Sequence, residues 1–379
     1  MGRSASVSMR RYREVLSLPR VFFAFAGERT GKQVREIRKM RQRAGESRLA
    51  VIGAGAWGTT LANLLAEKGW HVSLWVHAPE LAKRIAQERE NALYLPGVPL
   101  HPQVLPTSDL AQVVIETRRF ISVVPSHGVR AIWGKLSPRL PTQALIVSAT
   151  KGIEAESLLT MSGVLREIIT PDKGVDIAVL SGPTFAREVS QNIPTAVVAA
   201  AAERTVAQEV QALFSTSAFR AYTNTDVLGV EVGGALKNVI ALAAGVCDGL
   251  RFGYNARAAL ITRGLAEMAQ LGVAMGAKAQ TFAGLSGMGD LVLTCTGDLS
   301  RNHTVGMQLG QGKKLPDILR SMRAVAEGVT TAVSAVALGQ KYGVEMPIAE
   351  RVYALLQGRI DPYTAVQELM TRTLKSEDG

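Results

Sequence analysis

The stretch RLAVIGAGAWGTTLANLLAEKGW, residues 48–70, constrains this chain more than any other. Leu49 to Ile52 has the length and apolarity of a short buried strand, and Leu61, Leu64 and Leu65 share one face of a helix that ends near Gly69. Between them lies Gly53-Ala54-Gly55-Ala56-Trp57-Gly58. A G-x-G-x-x-G is a weak signal alone, but between a strand and a helix it specifies a phosphate-cradling turn. Gly53 permits the tight turn, Gly55 lets backbone approach a pyrophosphate, and Gly58 lets the helix pack on the strand. The helix N-terminus presents unbonded N–H groups and a partial positive charge to the anion. A dinucleotide held over Gly53, Gly55, Ala56, Trp57 and Gly58 is therefore expected.

The segments that follow extend this unit. His71–His77 reads as a second strand, and Pro79 opens the next helix at its first turn, where a missing N–H is harmless. Phe120–His127, Ala144–Gly152 and Asp176–Phe185 are further apolar strands, each running into a polar loop; TAVVAAAA and AFRAYTN look like late strands. Strand–helix alternation of this kind predicts a parallel sheet covered on both faces. After about Asp226 the pattern changes, and 228–250, 255–275, 304–312, 326–342, 346–357 and 361–370 read as helices. The expected fold is α/β: an N-terminal Rossmann-like doubly wound sheet with an all-helical C-terminal domain. The expected divisions are a basic, disordered extension (1–47), a dinucleotide-binding domain (48–227) and a helical substrate and catalytic domain (228–379).

Charge narrows the function classes once it is located. The net charge is +11, and residues 1–48 hold 13 Lys and Arg against four Glu, so nine of those charges belong to the N-terminal segment. That leaves no basic groove in the folded body to suggest nucleic acid. The segment also carries loose myristoylation (Met1, Gly2, Ser6), signal-like and transit-like features, but Pro19 and Arg20 interrupt its apolar part. No apolar run is expected to reach the roughly 18 residues of a membrane span. Cys247 and Cys295 read as small buried hydrophobes in a reducing cytoplasm, and no Cys/His cluster has metal-ligand spacing.

Candidate chemistry sits where strands end. In open α/β sheets ligands lie beyond the carboxyl ends of strands. Pro125-Ser126-His127, Thr150-Lys151-Gly152 and Ser181-Gly182-Pro183-Thr184 fall there. The second strand closes on Trp75-Val76-His77 with no carboxylate to hold a ribose 2′-hydroxyl, which favours NADP(H) or use of both NADP(H) and NAD(H). Lys237 is the only basic residue in EVGGALKNVIALAAGVCDGL, beside Asn238 and behind Gly233, Gly234 and Ala235. A lysine desolvated there has a depressed pKa and suits proton exchange during reduction of a ketone; the alternative is a lysine snorkelling from a helix edge. In GLSGMGDLVLTCTGDLSRNHT, Asp290 is placed to orient Lys237 or to accept a substrate hydroxyl. Thr294, Ser300, Arg301 and Asn302 resemble an oxyanion clamp.

Taken in order, VIGAGAWGT, VVPSH, ATKG, SGPTFA, GGALKNVIALAAG, NARAALITRGLAEM, GDLVLTC, SRN and GVEMPI resemble bacterial-type NAD(P)-dependent glycerol-3-phosphate dehydrogenases from about residue 48 to 370. The resemblance implies reversible reduction of dihydroxyacetone phosphate to sn-glycerol 3-phosphate, the glycerophospholipid backbone precursor. It implies Lys237 as proton donor and acceptor, and Lys151, Gly182, Thr184, Asp290, Ser300, Arg301 and Asn302 as substrate contacts, to which their neighbouring positions add Asn238 and Thr294 as candidates. His77, Lys151, Ala186, Arg301, Val325 and Glu327 are implied beside the coenzyme, and Ala56 stands where the family often has Ser. With the charge, apolar-run and cysteine readings above, the expectation is a cytoplasmic enzyme with no nucleic-acid partner and no integral membrane segment, and a homodimer as the candidate assembly. The competing readings are a related dehydrogenase of 2-keto or 3-hydroxy acids, a nucleotide sensor without turnover, and a nucleic-acid or membrane-surface binder driven by the basic tail.

Overall fold

The computed structural model of the protein describes residues 48–115, 117–322, 326–374 and 376. The expectations placed on residues 1–47 and on Val325 lie outside the described residues.

Eight strands form one sheet. In chain order come β1 (Arg48–Ile52), α1 (Ala56–Glu67), β2 (His71–Trp75), α2 (Pro79–Glu88), β3 (Val104–Thr107), β4 (Arg119–Ser122), α3 (Val129–Leu136), β5 (Leu145–Ser148) and α4 (Met161–Ile168). They are followed by β6 (Asp176–Ser181), α5 (Ala186–Ser190), β7 (Thr195–Ala201), α6 (Arg204–Phe214) and β8 (Phe219–Asn224). The strand order is β3-β2-β1-β4-β5-β6-β7-β8. β4 lies on the far side of β1 from β2, so the crevice that opens where the order reverses sits beside the glycine turn.

One expectation is corrected here. The sheet is not wholly parallel, because β7 runs antiparallel to β6, with Ala178 opposite Ala201. An antiparallel neighbour starts at the end where the previous strand stopped, so the five-residue α5 suffices. The strands are also shorter than expected, ending at Trp75, Ser122, Ser148 and Ser181. The polar residues beyond those ends are loop, free to face a ligand.

Alternate strand residues enter two cores. Leu49, Val51, Ile121 and Val147 pack with Leu61 and Leu65 of α1 and Val210 and Phe214 of α6. Ala50, Ile52, Phe120 and Ile146 pack on the other face with Trp133 of α3 and Val164 and Leu165 of α4. Burial on both faces is why the strands read as continuous apolar runs.

The rest of the chain is helical: α7 (Val227–Gly249), α8 (Gly253–Ala274), α9 (Ala279–Phe282), a π-turn at Leu285–Gly289, α10 (Asp290–Thr296), α11 (Arg301–Gly310), α12 (Leu315–Ser321), α13 (Glu327–Tyr342), α14 (Pro347–Leu356) and α15 (Pro362–Met370). α7 corrects a second expectation. It is long and apolar enough to cross a membrane by length and composition, but 94% of that window is buried inside the fold. It is the axis around which the other helices pack, which is why it is apolar on every side.

α11 approaches α7 at backbone contact. A Cβ on Gly245 would lie 2.1 Å from the His303 carbonyl oxygen, and one on Gly306 would lie 2.0 Å from that of Leu242. One turn on, Gly249 and Gly310 repeat the arrangement against Met307 O and Val246 O, at 2.3 and 2.5 Å. Glycine inside a helix costs about 1 kcal/mol relative to alanine. Here it lets two backbones touch, which sets the distance between Lys237 on α7 and the Ser300-Arg301-Asn302 start of α11.

Candidate active site

The glycine turn is built as its spacing requires. Gly53 has φ +117°, and a Cβ there would meet the Val123 carbonyl group at 2.8 Å. A Cβ on Gly58 would lie 1.9 Å from Gly53 O, whereas one on Gly55 would meet nothing within 4 Å. The turn is thus closed where α1 meets β1 and open where an anion would approach. Gly55 precedes α1 with no side-chain cap, which leaves the first helical N–H groups for that anion. The Trp57 indole Nε1 is buried without a hydrogen-bond partner. Open space at Gly55, an uncapped helix start and a partnerless indole N–H all fit a dinucleotide. At the adenine end, the exposed His77 ring contacts Trp75 edge-on at 5.7 Å between centroids. The nearby Glu80 is taken up by Lys83 at 3.1 Å.

Next to this turn, three charged groups converge from both regions. Lys151 follows β5, Lys237 lies mid-way along α7, and Asp290 begins α10. The Asp290 carboxylate is fully buried, accepting from Lys237 Nζ at Oδ1 and from Lys151 Nζ at Oδ2, each at 2.6 Å. Lys151 Nζ also donates to Gly182 O at 2.9 Å, so the turn after β6 joins the cluster. Both Asp290 oxygens thus accept from lysine ammonium groups. Lys237 Nζ donates a second bond to Thr294 Oγ1 at 2.6 Å, and that hydroxyl in turn donates to the Asp290 backbone carbonyl at 2.6 Å. Among the described residues no further acceptor lies within bonding distance of Nζ, so the third N–H is left for a ligand.

Burial pulls the Lys237 ammonium down to about 8, against the opposing pull of the Asp290 carboxylate, with the Lys151 charge adding to the lowering. The snorkelling alternative is excluded, because Lys237 is only 6% exposed. Cys295 lies in the same environment, its thiol pushed up to about 12 by burial; Cys247 is likewise buried and unpaired, as expected of small hydrophobes.

The remaining candidates are brought together with distinct partners. Ser300 Oγ accepts from His303 N at 3.2 Å and caps α11. Arg301, at the first position of α11, is solvent-exposed. Asn302 is buried, donating to Asn238 Oδ1 at 2.8 Å and accepting from Gly328 N at 3.0 Å. Of this trio only Arg301 is charged; although the residue is exposed, burial of its guanidinium pulls its pKa down against the opposing pull of the Glu327 carboxylate. Thr184 Oγ1 donates to Gly182 O at 3.2 Å, and Ala186 O accepts from Thr60 of α1 at 3.1 Å, which ties that segment to the glycine-turn helix.

Sequence reasoning missed several partners. Glu231 of α7, buried, accepts from Ser162 N and Oγ at 2.8 and 2.5 Å and pins α7 to the start of α4. Ser126 donates to Glu327 across 201 residues of chain. Ser181 Oγ is buried without a partner beside Gly234, whose missing Cβ leaves room for it at 2.7 Å. The only sequence signal for Ser126 and Ser181 was their place just past, or at the end of, an apolar strand.

Comparison with known proteins decides what this geometry belongs to. Two family models match, the NAD-dependent glycerol-3-phosphate dehydrogenase N-terminus over residues 48–207 and the corresponding C-terminus over 226–367. The chain belongs to the NAD-dependent glycerol-3-phosphate dehydrogenase family. A "Glycerol-3-phosphate dehydrogenase [NAD(P)+]" of Geobacter sp. (strain M21) is 58% identical over 330 residues, covering 87% of this chain and 98% of that one. One from Geobacter sulfurreducens is 56% identical over 330 residues, with the same coverages. The crystal structure of glycerol-3-phosphate dehydrogenase from Coxiella burnetii matches with a TM-score of 0.82 at 38% identity, over 86% of this chain and 99% of that one. This family member is accordingly an NAD(P)-dependent glycerol-3-phosphate dehydrogenase.

Proposed function

We propose that the enzyme interconverts dihydroxyacetone phosphate and sn-glycerol 3-phosphate in the cytoplasm, supplying the glycerophospholipid backbone, with Lys237 moving the proton. The observation that carries this is the buried Asp290 carboxylate shared by Lys151 and Lys237. It gathers two ammonium groups on one carboxylate, beyond the strand ends that also carry a turn built for a dinucleotide. The turn residues, with Trp57 and His77, would hold the coenzyme, whose nicotinamide supplies or takes the hydride when bound.

The chain's own part is to bind, orient and protonate. In the reductive direction Lys237, as ammonium, uses its third N–H to bond the substrate carbonyl oxygen. It gives up that proton as the oxygen becomes an alcohol; in the oxidative direction neutral Lys237 takes it back. Asp290 and Thr294 fix Nζ, so little reorientation accompanies the transfer. Lys151 stays fastened to Asp290 and Gly182, adding positive charge where the oxygen gains electron density. Arg301, at the start of α11, meets the substrate phosphate remote from the reacting carbon, which orients that carbon for reaction. In this reading the helical region, from about residue 228, is the substrate and catalytic domain.

Three outcomes test the substrate and the coenzyme. NADPH oxidation is expected with dihydroxyacetone phosphate and at least about a hundredfold lower kcat/KM with unphosphorylated dihydroxyacetone. Arg301→Ala should raise KM for the phosphorylated substrate by roughly ten- to a hundredfold, leaving the weak unphosphorylated reaction little changed. Equal rates with both substrates would sink the assignment. Separately, His77→Asp places a carboxylate where β2 ends and should move the NADPH/NADH preference toward NADH by about tenfold. An unmoved coenzyme ratio would remove His77 from the ribose 2′ position.

A further inference from the structure

The seam between sheet and helices is closed a second time, away from the lysines. Ser126 begins a single 3₁₀ turn just past β4, at the β1/β4 crevice, and is 3% exposed. Its backbone N–H donates to Glu327 Oε1 at 3.2 Å and its hydroxyl to Oε2 at 2.5 Å. Glu327 is the first residue of α13, and the next, Gly328, donates its N–H to Asn302. Asn302 in turn holds Asn238, the neighbour of Lys237.

On its other side Ser126 rests on Gly152, the residue after Lys151. A Cβ at 152 would lie 2.5 Å from Ser126 Cβ, 2.8 Å from its Oγ and 3.4 Å from Glu327 Oε2. Gly152 is therefore the space into which the Ser126–Glu327 pair fits. Lys151 and Lys237, already joined through Asp290, are joined again through Gly152, Ser126, Glu327, Gly328, Asn302 and Asn238 (a closed ring of contacts with the crevice at its edge).

We propose that Ser126 is a positioning residue that aims the Glu327 carboxylate at the coenzyme and locks α13 to the sheet. This rests on the reading of Glu327 as a coenzyme-side residue and adds the group that governs it. Without the Ser126 hydroxyl, Oε2 loses its donor and Glu327 keeps only the longer bond from the Ser126 backbone N–H, so the carboxylate and α13 are held less firmly to the β4 end. The coenzyme then meets a carboxylate held at one oxygen only. The ring predicts that the effect passes through Glu327 and not through Lys237.

The test is NADPH binding in the absence of substrate, read by coenzyme fluorescence, for the full chain and for Ser126→Ala, Glu327→Gln and the double variant, with thermal unfolding in parallel. Ser126→Ala should raise the NADPH Kd about tenfold, the loss of one hydrogen bond to a carboxylate. Its melting temperature should stay within a few degrees, and kcat at saturating coenzyme should change much less than Kd. The double variant should bind no more weakly than Glu327→Gln alone, because both substitutions remove the same interaction. Should the alanine variant prove unstable, Ser126→Cys, which keeps the volume with a weaker donor, is expected to weaken binding in the same direction. Losses that multiply in the double variant, or an unchanged Kd in Ser126→Ala beside a raised one in Glu327→Gln, overturn the proposal alone. An unchanged Kd in Glu327→Gln overturns the reading beneath it as well.

Discussion

Lys237→Ala is expected to lower kcat by about a thousandfold, within the range that a positioned acid–base group supplies, while the NADPH Kd changes little. The coenzyme turn and Lys237 lie on separate elements, β1–α1 and α7, so deleting the amine leaves the turn intact. Asp290 keeps its bond to Lys151, so the buried carboxylate is not left without a cation. The pH dependence carries the same assignment. Because burial has brought Lys237 down to about 8, the ammonium needed for reduction is present below that pH and is lost above it. The kcat/KM for ketone reduction should fall as pH rises through about 8, and that for alcohol oxidation should rise over the same interval. Both limbs should vanish in the alanine variant. A variant that retains wild-type turnover would end the case for proton transfer by this residue.

Gly306→Val should be the most damaging change outside the polar cluster. A side chain there begins 2.0 Å from Leu242 O, and neither backbone can yield without separating α11 from α7. Overpacking of this kind costs roughly 3 kcal/mol or more, equivalent to a melting-temperature drop of about 6–12 °C in a domain of this size. The separation also moves Arg301 away from Lys237, and a displacement of about 1 Å can cost on the order of a hundredfold in rate. Gly134→Ala is the matched control. Gly134 is exposed in α3 with nothing within 4 Å of its added Cβ, so alanine should stabilise by about 0.5–1 kcal/mol through helix propensity. A Gly306→Val protein that melts and turns over like the parent would show that the helices are not held at backbone contact.

The first half of the fold was legible because its signals are local. A strand, three glycines at fixed spacing and a leucine-faced helix lie within 23 residues, and the structure follows them closely. Lys237 was legible for the opposite reason, as a charge where periodicity demands burial. β3 was missed: its four residues include Pro106, and it pairs on one side only, which erases the usual strand pattern. The reversal at β7 was missed because composition does not encode strand direction. Glu231 stood in plain view as a second charge in the same apolar run, but its partner Ser162 is 69 residues distant. Glu327 and Ser126 are farther apart still. Periodicity identifies what must be buried, and it is silent on which distant hydroxyl a buried carboxylate will meet.

The shared aspartate has a consequence for the chain as it is made. The glycine turn is made before β8, whereas Lys237 and Asp290 follow only with α7 and α10, and Glu327 later still with α13. On the proposed mechanism a chain arrested after β8 carries the turn without its proton donor, so a truncated product cannot drain the reduced coenzyme pool.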